Sequence, residues 1–401
     1  MTTAATSPVP AVPPAYLDYA ATTPVDPRVA ALMCECLMSQ DLCGNPSSTG
    51  HAFGRRARAL VEAARRQVAA LLNARPESIV WTSGATESNN LALLGAARFN
   101  AARGRHIVSA RTEHKAVLDP LKRLEREGFS VTYLTPDRDG IVQPGQVFEA
   151  LRPDTVLVSL MHVNNETGVI QDIGAVGAAC RERGILFHVD AAQSAGKVLI
   201  DVEALGVGLM SLTAHKVYGP KGVGALYLRR RPPLGLTPLI EGGGQEGGLR
   251  SGTLATHQIA GMGLAFELAA REGVADSARV TGLRERLWQG ISAIGGVRLN
   301  GHPERRIAGV LNVAFGDIEG ESLQFSLRDL AVSAGAACSS ESEEPSYVLR
   351  ALGLSDSEAR SSLRFSLGRF STAAEVDFAI DCVQREVPRL RCLAPSSPGR
   401  P

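Results

Sequence analysis

SIVWTSGATESNNLALLGAA, residues 78–97, reads as an apolar strand that turns through Ser83, Gly84, Ala85 and Thr86 and continues as a helix carrying Leu91, Leu93 and Leu94. A helix that opens this way points backbone N–H groups and the positive end of its dipole beyond the strand, where an anion is welcome, and Thr86 adds a hydroxyl. Ordinary helix capping by Ser83 or Thr86 accounts for the same residues. Neither G-x-x-x-x-G-K-S/T nor G-x-G-x-x-G after a strand occurs in the chain, so nucleotide binding is the weaker reading. Strand and helix patterns go on alternating to about residue 230. That alternation predicts a mainly parallel sheet with helices on both faces, which binds ligands at the carboxyl ends of its strands.

Four more strand ends supply polar residues to that edge. RHIVSARTEHKAVL (105–118) gives His114, VLVSLMHVNNETG (156–168) gives Asn164 and Asn165, LFHVDAAQ (186–193) gives Asp190 and Gln193, and SLTAHKVYGPKG (211–222) gives Lys216. Lys216 is one of only five lysines, with Lys115, Lys122, Lys197 and Lys221, in a chain that otherwise uses arginine. Unlike guanidinium, a desolvated amine can shed its proton and condense with an aldehyde. A buried carboxylate such as Asp190 beside such a lysine is what pyridoxal phosphate requires, because it keeps the pyridine nitrogen protonated and the ring able to accept electrons. Each residue also has a plain structural reading: a solvated loop charge for Lys216, a cap or turn residue for Asp190, a capping or packing residue for His114. The shared placement of Thr86, His114, Asn165, Asp190 and Lys216 at one edge carries more weight than any one of them.

With these residues in hand the chain resembles the cysteine desulfurases of the NifS/IscS type, within the class V aminotransferase group of fold type I pyridoxal phosphate enzymes. The resemblance runs through YLDYAATTPVDPRV (16–29), GNPSSTGHAFGR (44–55), SGATESNN, TEHKAV, HVNNETG, HVDAAQS, HKVYGPKG, RSGT (250–253), EPSYVLRALGL (344–354) and RFSLGRF (364–370). It implies an α/β fold with a large domain built on a mainly parallel, seven-stranded type of sheet and a smaller C-terminal α/β domain. Residues 1–15 and 393–401 would be flexible tails, 16–260 the large domain with its N-terminal arm, and 261–392 the small domain.

The resemblance also implies roles. Lys216 would hold the aldehyde of pyridoxal 5'-phosphate, Asp190 its ring nitrogen and Gln193 its phenolic oxygen, with His114 stacked on the ring as an acid or base. Ala85, Thr86, Thr213 and His215 would hold the phosphate, and Thr253 would reach the phosphate of a neighbouring subunit, making the active unit a homodimer. Asn45, Asn165 and Arg364 would orient the substrate, Arg364 gripping its carboxylate with two parallel hydrogen bonds. Without the resemblance, a structural salt bridge is the simpler reading of Arg364. Cys338, in the small-residue stretch AVSAGAACSSESEEPS (331–346), would attack the sulfur of bound L-cysteine and leave alanine and a persulfide. Glu341, Glu343 and Glu344 should raise the pKa of that thiol, so its activation would have to come from His114 or the bound adduct.

Three departures qualify the resemblance. Ala334, Ala336 and Ala337 stand where serine is frequent, Thr213 replaces a usual serine while keeping the hydroxyl, and the chain ends at RCLAPSSPGRP without the extension through which some relatives engage a scaffold protein. The implied function is delivery of sulfur from L-cysteine to acceptor proteins of iron–sulfur assembly or thiolation pathways. A selenocysteine lyase or another class V aminotransferase-type enzyme is the alternative of the same fold. A sulfur carrier with little activity of its own is the alternative of another class, and it has no use for an electron sink.

Composition sets wider limits. The formal net charge of +1 and the absence of a basic stripe give no footing for nucleic acid, and no apolar run reaches the length of a membrane span. The other cysteines, Cys34, Cys36, Cys43, Cys180, Cys382 and Cys392, form no C-x-x-C and no zinc-ligand spacing with histidine. Seven cysteines, an odd count, and a Pro/Ala/Thr-rich start without basic residues predict a reducing, cytoplasmic setting.

Overall fold

The computed structural model describes residues 15–231, 233–334 and 344–393. Its strands are β1 (Ala15–Tyr16), β2 (Ile79–Thr82), β3 (His106–Ala110), β4 (Ser130–Leu134), β5 (Thr155–Met161), β6 (Leu186–Asp190), β7 (Leu209–Thr213) and β8 (Gly224–Leu228), followed by β9 (Val297–Leu299), β10 (Val310–Phe315), β11 (Leu330–Ala331), β12 (Ser333–Ala334) and β13 (Ser362–Ser366). The expected seven-stranded sheet is present, in the order β2-β8-β7-β6-β5-β3-β4, with β8 alone antiparallel to its neighbours. Its inner strands are buried along their whole length and mainly apolar, as strands covered on both faces are.

Helices cover both faces. On one face Val61, Ala64 and Val68 of helix Ala52–Leu71 pack with Ile259, Met262 and Phe266 of helix Thr256–Ser292. On the other, Leu91, Leu93 and Leu94 pack with Val117, Leu121 and Leu124 of helix Lys115–Arg126. The two helices of the first face approach closely at Gly263, where an added Cβ would lie 2.6 Å from the Ala64 backbone. Polar residues inside the sheet are paired: His188 bridges Ser159 Oγ (2.8 Å) and Ser211 Oγ (3.0 Å) across three adjacent strands. Burial lowers the pKa of that imidazole to about 4, so it stays neutral and structural.

A second sheet, ordered β12-β13-β10-β9, is antiparallel and packs on the later part of helix Thr256–Ser292 through Val280, Leu287 and Ile291. The helix therefore serves both cores, and the expected boundary at residues 260/261 falls inside it. The N-terminal arm joins the smaller part: Tyr16 pairs with Ala331, and Asp18 bridges to Ser366.

Candidate active site

A cleft of about 670 Å³ opens at the carboxyl ends of β2, β5, β6 and β7 and is closed on its far side by the N-terminal arm and β13. Beyond β2 the chain turns at Gly84, whose φ of +153° is open to glycine alone at little cost, and enters the helix at Ala85. Gly84 is the N-cap and no side chain caps that first turn, so neither Ser83 nor Thr86 is spent on capping. Ser83 N–H instead donates to Glu87 Oε2 at 2.8 Å, and Arg250 of the RSGT segment donates to Glu87 Oε1 at 2.8 Å. Ala85 and Thr86 line the cleft with Thr213 and His215.

Asp190 ends β6, almost wholly buried, and two N–H donors fix its carboxylate: Asn89 at 2.7 Å and Ala192 at 2.9 Å. Gln193 stands on the next turn, its Nε2 donating to the Ala20 carbonyl at 2.8 Å. Lys216 follows β7, and the turn beyond it is locked at Tyr218, a non-glycine residue at φ +61°. Tyr218 N–H donates to Thr23 Oγ1, its hydroxyl accepts from Arg369 N–H, and the Arg369 guanidinium lies 4.5 Å from its ring centroid. Strain of that kind persists only where the surroundings hold it, and here it fixes the backbone that presents Lys216.

His114 is the N-cap of helix Lys115–Arg126, and its Nδ1 accepts from Ala116 N–H at 3.0 Å. It is thus a capping residue and a cleft residue at once, and as a neutral ring it carries its proton on Nε2. Burial, then the Lys216 charge, pull its pKa below the ordinary value of 6.5. His215 is held more strongly in the neutral form, at about 4, by burial and by Lys216, Lys221 and Lys197.

Arg364 reaches the cleft from β13. One guanidinium nitrogen donates to the Asn165 carbonyl and another to Asp18 Oδ1, both at 2.7 Å, while its Nε has no partner among the described residues. The structural salt bridge and the place in the cleft therefore coexist. Asn165 Oδ1 is buried without a partner among the described residues, as suits a group awaiting a ligand.

Asn45 and Thr253 stand apart. Both are exposed and neither lines this cleft; Asn45 Oδ1 accepts from Ser47 N–H in its own turn. Cys338 lies outside the described residues, although Glu344, shortly after it, lines the cleft.

Sequence reading passed over several contributors. Asn89, which holds Asp190, lies inside the quoted SGATESNN, and its spacing from Thr86 along one helix was the available signal. Asp18 and Glu166 sit in quoted motifs without any assigned task. Glu166 is buried at the cleft wall beside the Ser346 hydroxyl, which donates to it, and burial raises its pKa to about 7. Glu113 accepts from Met161 N–H at 2.9 Å while its other oxygen is unpartnered among the described residues, and burial drives its pKa well above the carboxylate range.

These residues fit pyridoxal phosphate. The cleft offers an uncapped helix start approached by a glycine at positive φ, a buried carboxylate already held by two donors, and an amide and a lysine on neighbouring turns. Among the described residues no group of His, Cys, Asp or Glu could hold a metal ion, and no helix is long and apolar enough to cross a membrane.

Comparison with known proteins agrees with the geometry. Residues 15–378 match the sequence profile of the class-V aminotransferases. The chain is 59% identical over 382 residues to the cysteine desulfurase IscS of Azotobacter vinelandii, covering 95% of each chain. Among solved structures it superposes on a NifS-like protein with a TM-score of 0.87 at 36% identity, over 94% of this chain and all of the other. A structure of SspA in complex with cysteine matches with a TM-score of 0.80 at 40% identity, over 89% of this chain and 99% of that one.

Proposed function

The chain belongs to the class-V aminotransferases and, within them, to the IscS-type cysteine desulfurases, and we propose that its cleft converts L-cysteine to L-alanine, passing the sulfur to Cys338 as a persulfide for iron–sulfur assembly. The observation that carries this reading is the convergence of Lys216, Asp190, Gln193, Thr86, His114 and Arg364 on one cleft from five separate segments. Pyridoxal phosphate, when bound there, supplies an electron sink that loosens bonds at the amino acid's α-carbon and beyond it.

The chain's own residues do the rest. Lys216 would hold the cofactor through its aldehyde carbon, and Asp190 would keep a proton on its ring nitrogen. Ala85, Thr86, Thr213 and His215 would hold the phosphate, and Gln193 would donate to the phenolic oxygen. Arg364 and Asn165 orient the substrate carboxylate, and His114 moves protons at the substrate carbons from a ring kept neutral near pH 7. The Cys338 thiolate then forms a bond to the substrate sulfur as the carbon–sulfur bond breaks. The electron pair stays with the β-carbon, which takes up a proton and leaves as alanine. Glu344, six residues after Cys338, lines the cleft, which supports the reach this step needs.

The exposed position of Thr253 supports a homodimer in which it reaches the phosphate site of the partner's cleft. None of the six described cysteines is in a disulfide, which supports work in a reducing compartment such as the cytoplasm. The sulfur acceptors belong to the same reading.

The test is to record the visible absorption of the purified protein, then follow alanine and sulfide from L-cysteine under a reductant. Wild type is expected to show a cofactor band that Lys216→Ala loses, with alanine and sulfide formed in step. Cys338→Ala should keep the band and lose cysteine turnover by roughly a hundredfold or more. Full cysteine activity in Cys338→Ala would overturn the persulfide step, and selective retention on selenocysteine would move the assignment to a lyase.

A further inference from the structure

A glutamine amide has two unlike ends: Oε1 only accepts hydrogen bonds and Nε2 only donates them. Which end of Gln193 meets the cleft is therefore a chemical choice, and two neighbours make it. Nε2 donates to the Ala20 carbonyl at 2.8 Å, and Oε1 accepts from Lys197 Nζ at 3.0 Å. A flipped amide would set an oxygen against the Ala20 oxygen at any pH, and N–H groups against the Lys197 ammonium whenever that amine is protonated, so the Ala20 contact always opposes the flip and the charged Lys197 adds to it.

Lys197 is an expensive residue to keep here. Burial first, and then the positive charges of Lys216 and Arg364, lower its pKa to about 7. Asp276 and Arg369, which line a small cavity of about 60 Å³ with Lys197, are ion-paired to each other. Among the described residues its hydrogen-bond acceptor is Gln193.

We propose that Lys197 is a positioning residue: it locks the Gln193 amide so that Nε2 faces the cleft and its second proton is donated to the phenolic oxygen of the cofactor. This rests on the reading of Gln193 given above. A donor on that oxygen favours its anionic form. With the donor lost, the oxygen and the Lys216 nitrogen hold their shared proton more tightly, and the visible absorption of the bound cofactor titrates at higher pH.

The experiment is a pH titration of that absorption in the holoprotein, paired with equilibrium dialysis of pyridoxal phosphate against apoprotein. Gln193→Ala and Lys197→Met are each expected to raise the titration midpoint by roughly one unit and to weaken cofactor retention several-fold. The double variant should match Gln193→Ala alone, because the two act through one contact. Lys197→Arg keeps a donor, has the adjacent cavity to take its extra atoms, and should titrate as wild type. Lys197→Leu serves as a second variant should the methionine protein fold poorly, with the same shift expected.

Lys197→Met or Lys197→Leu titrating as wild type while Gln193→Ala shifts would overturn the role of Lys197 and leave that of Gln193 standing. Additive shifts in the double variant would mean that Lys197 acts through its charge alone, which also overturns the proposal. An unshifted Gln193→Ala would remove Gln193 from the phenolic oxygen, and this proposal with it.

Discussion

Along the sheet edge the cleft residues sit at a strand end, as Asp190 and Thr213 do, or within four positions past one: Thr86 after Thr82, His114 after Ala110, Gln193 after Asp190, Lys216 after Thr213. The opposite wall joins residues that are remote in the chain, with Arg364 bound to Asp18 and to Asn165 and Ser346 bound to Glu166. The first wall is assembled by short turns whose ends are already pinned in a buried sheet. The second exists only after the N-terminal arm and the four-stranded sheet have docked. Changes in the first should therefore alter chemistry or cofactor holding with little effect on folding, and changes in the second should alter substrate binding and stability together.

His114→Ala, on the sheet-edge wall, is expected to break that comparison least in folding and most in rate. Turnover of L-cysteine should fall roughly 10²- to 10⁴-fold, with the thermal midpoint lowered only by the loss of the Ala116 N–H cap, about 1 kcal/mol. Because its pKa is lowered from 6.5, the neutral ring is lost only as pH falls through that depressed value. Wild-type kcat should accordingly decline on an acid limb below 6.5 that the variant lacks, and steady-state rates from pH 5 to 8 would show it.

Arg364→Lys tests the opposite wall. A point-charge ammonium cannot replace the fork that meets Asp18, the Asn165 carbonyl and a carboxylate, so kcat/KM for L-cysteine should fall about 10- to 100-fold, mostly through KM. Here the thermal midpoint should drop as well, and an unchanged midpoint would show that the arm docks without Arg364.

Gly84→Ala returns to the sheet edge. At φ +153° a side chain is strained, and the helix start would be displaced from the phosphate, so apoprotein should bind pyridoxal phosphate roughly tenfold more weakly by dialysis. Loss of folding instead of affinity would mean that this turn is less independent than the comparison holds.

Glu166→Gln should have the smallest effect. Its carboxyl titrates at about 7 in the folded protein against 4.5 when exposed, so the native state binds the extra proton between those values and loses stability as pH rises through that window. Glutamine does not titrate, and the thermal midpoint of the variant relative to wild type should climb by a few degrees from pH 4.5 to pH 7.

The unequal legibility of the two walls follows from the same difference. Strand, turn and helix at residues 78–97 could be read because apolar runs and glycine act over a few residues, and so could the placement of His114, Asp190 and Lys216 at one edge. The uncapped start at Gly84 settled what the residues alone left open, whether Ser83 or Thr86 merely caps the helix. For Arg364 the two readings were not exclusive, since the salt bridge to Asp18 is itself part of the cleft wall. Asp18 and Glu166 carried no sign of their tasks, because nothing within a few residues of them records what they touch.

By itself the sequence determined the alternation of buried strands and helices, the mainly parallel sheet, the edge where ligands bind and the types of residue presented there, because periodicity and turn chemistry are local. Only the tertiary structure decided that Asn89 and Ala192 fix Asp190, that Asp18 and Asn165 meet Arg364, and that Lys197 and Ala20 choose the orientation of Gln193. Four of those six bonds join residues more than 100 positions apart, and their cost in chain entropy is met by the packing of whole elements, so no short stretch of sequence can encode those four.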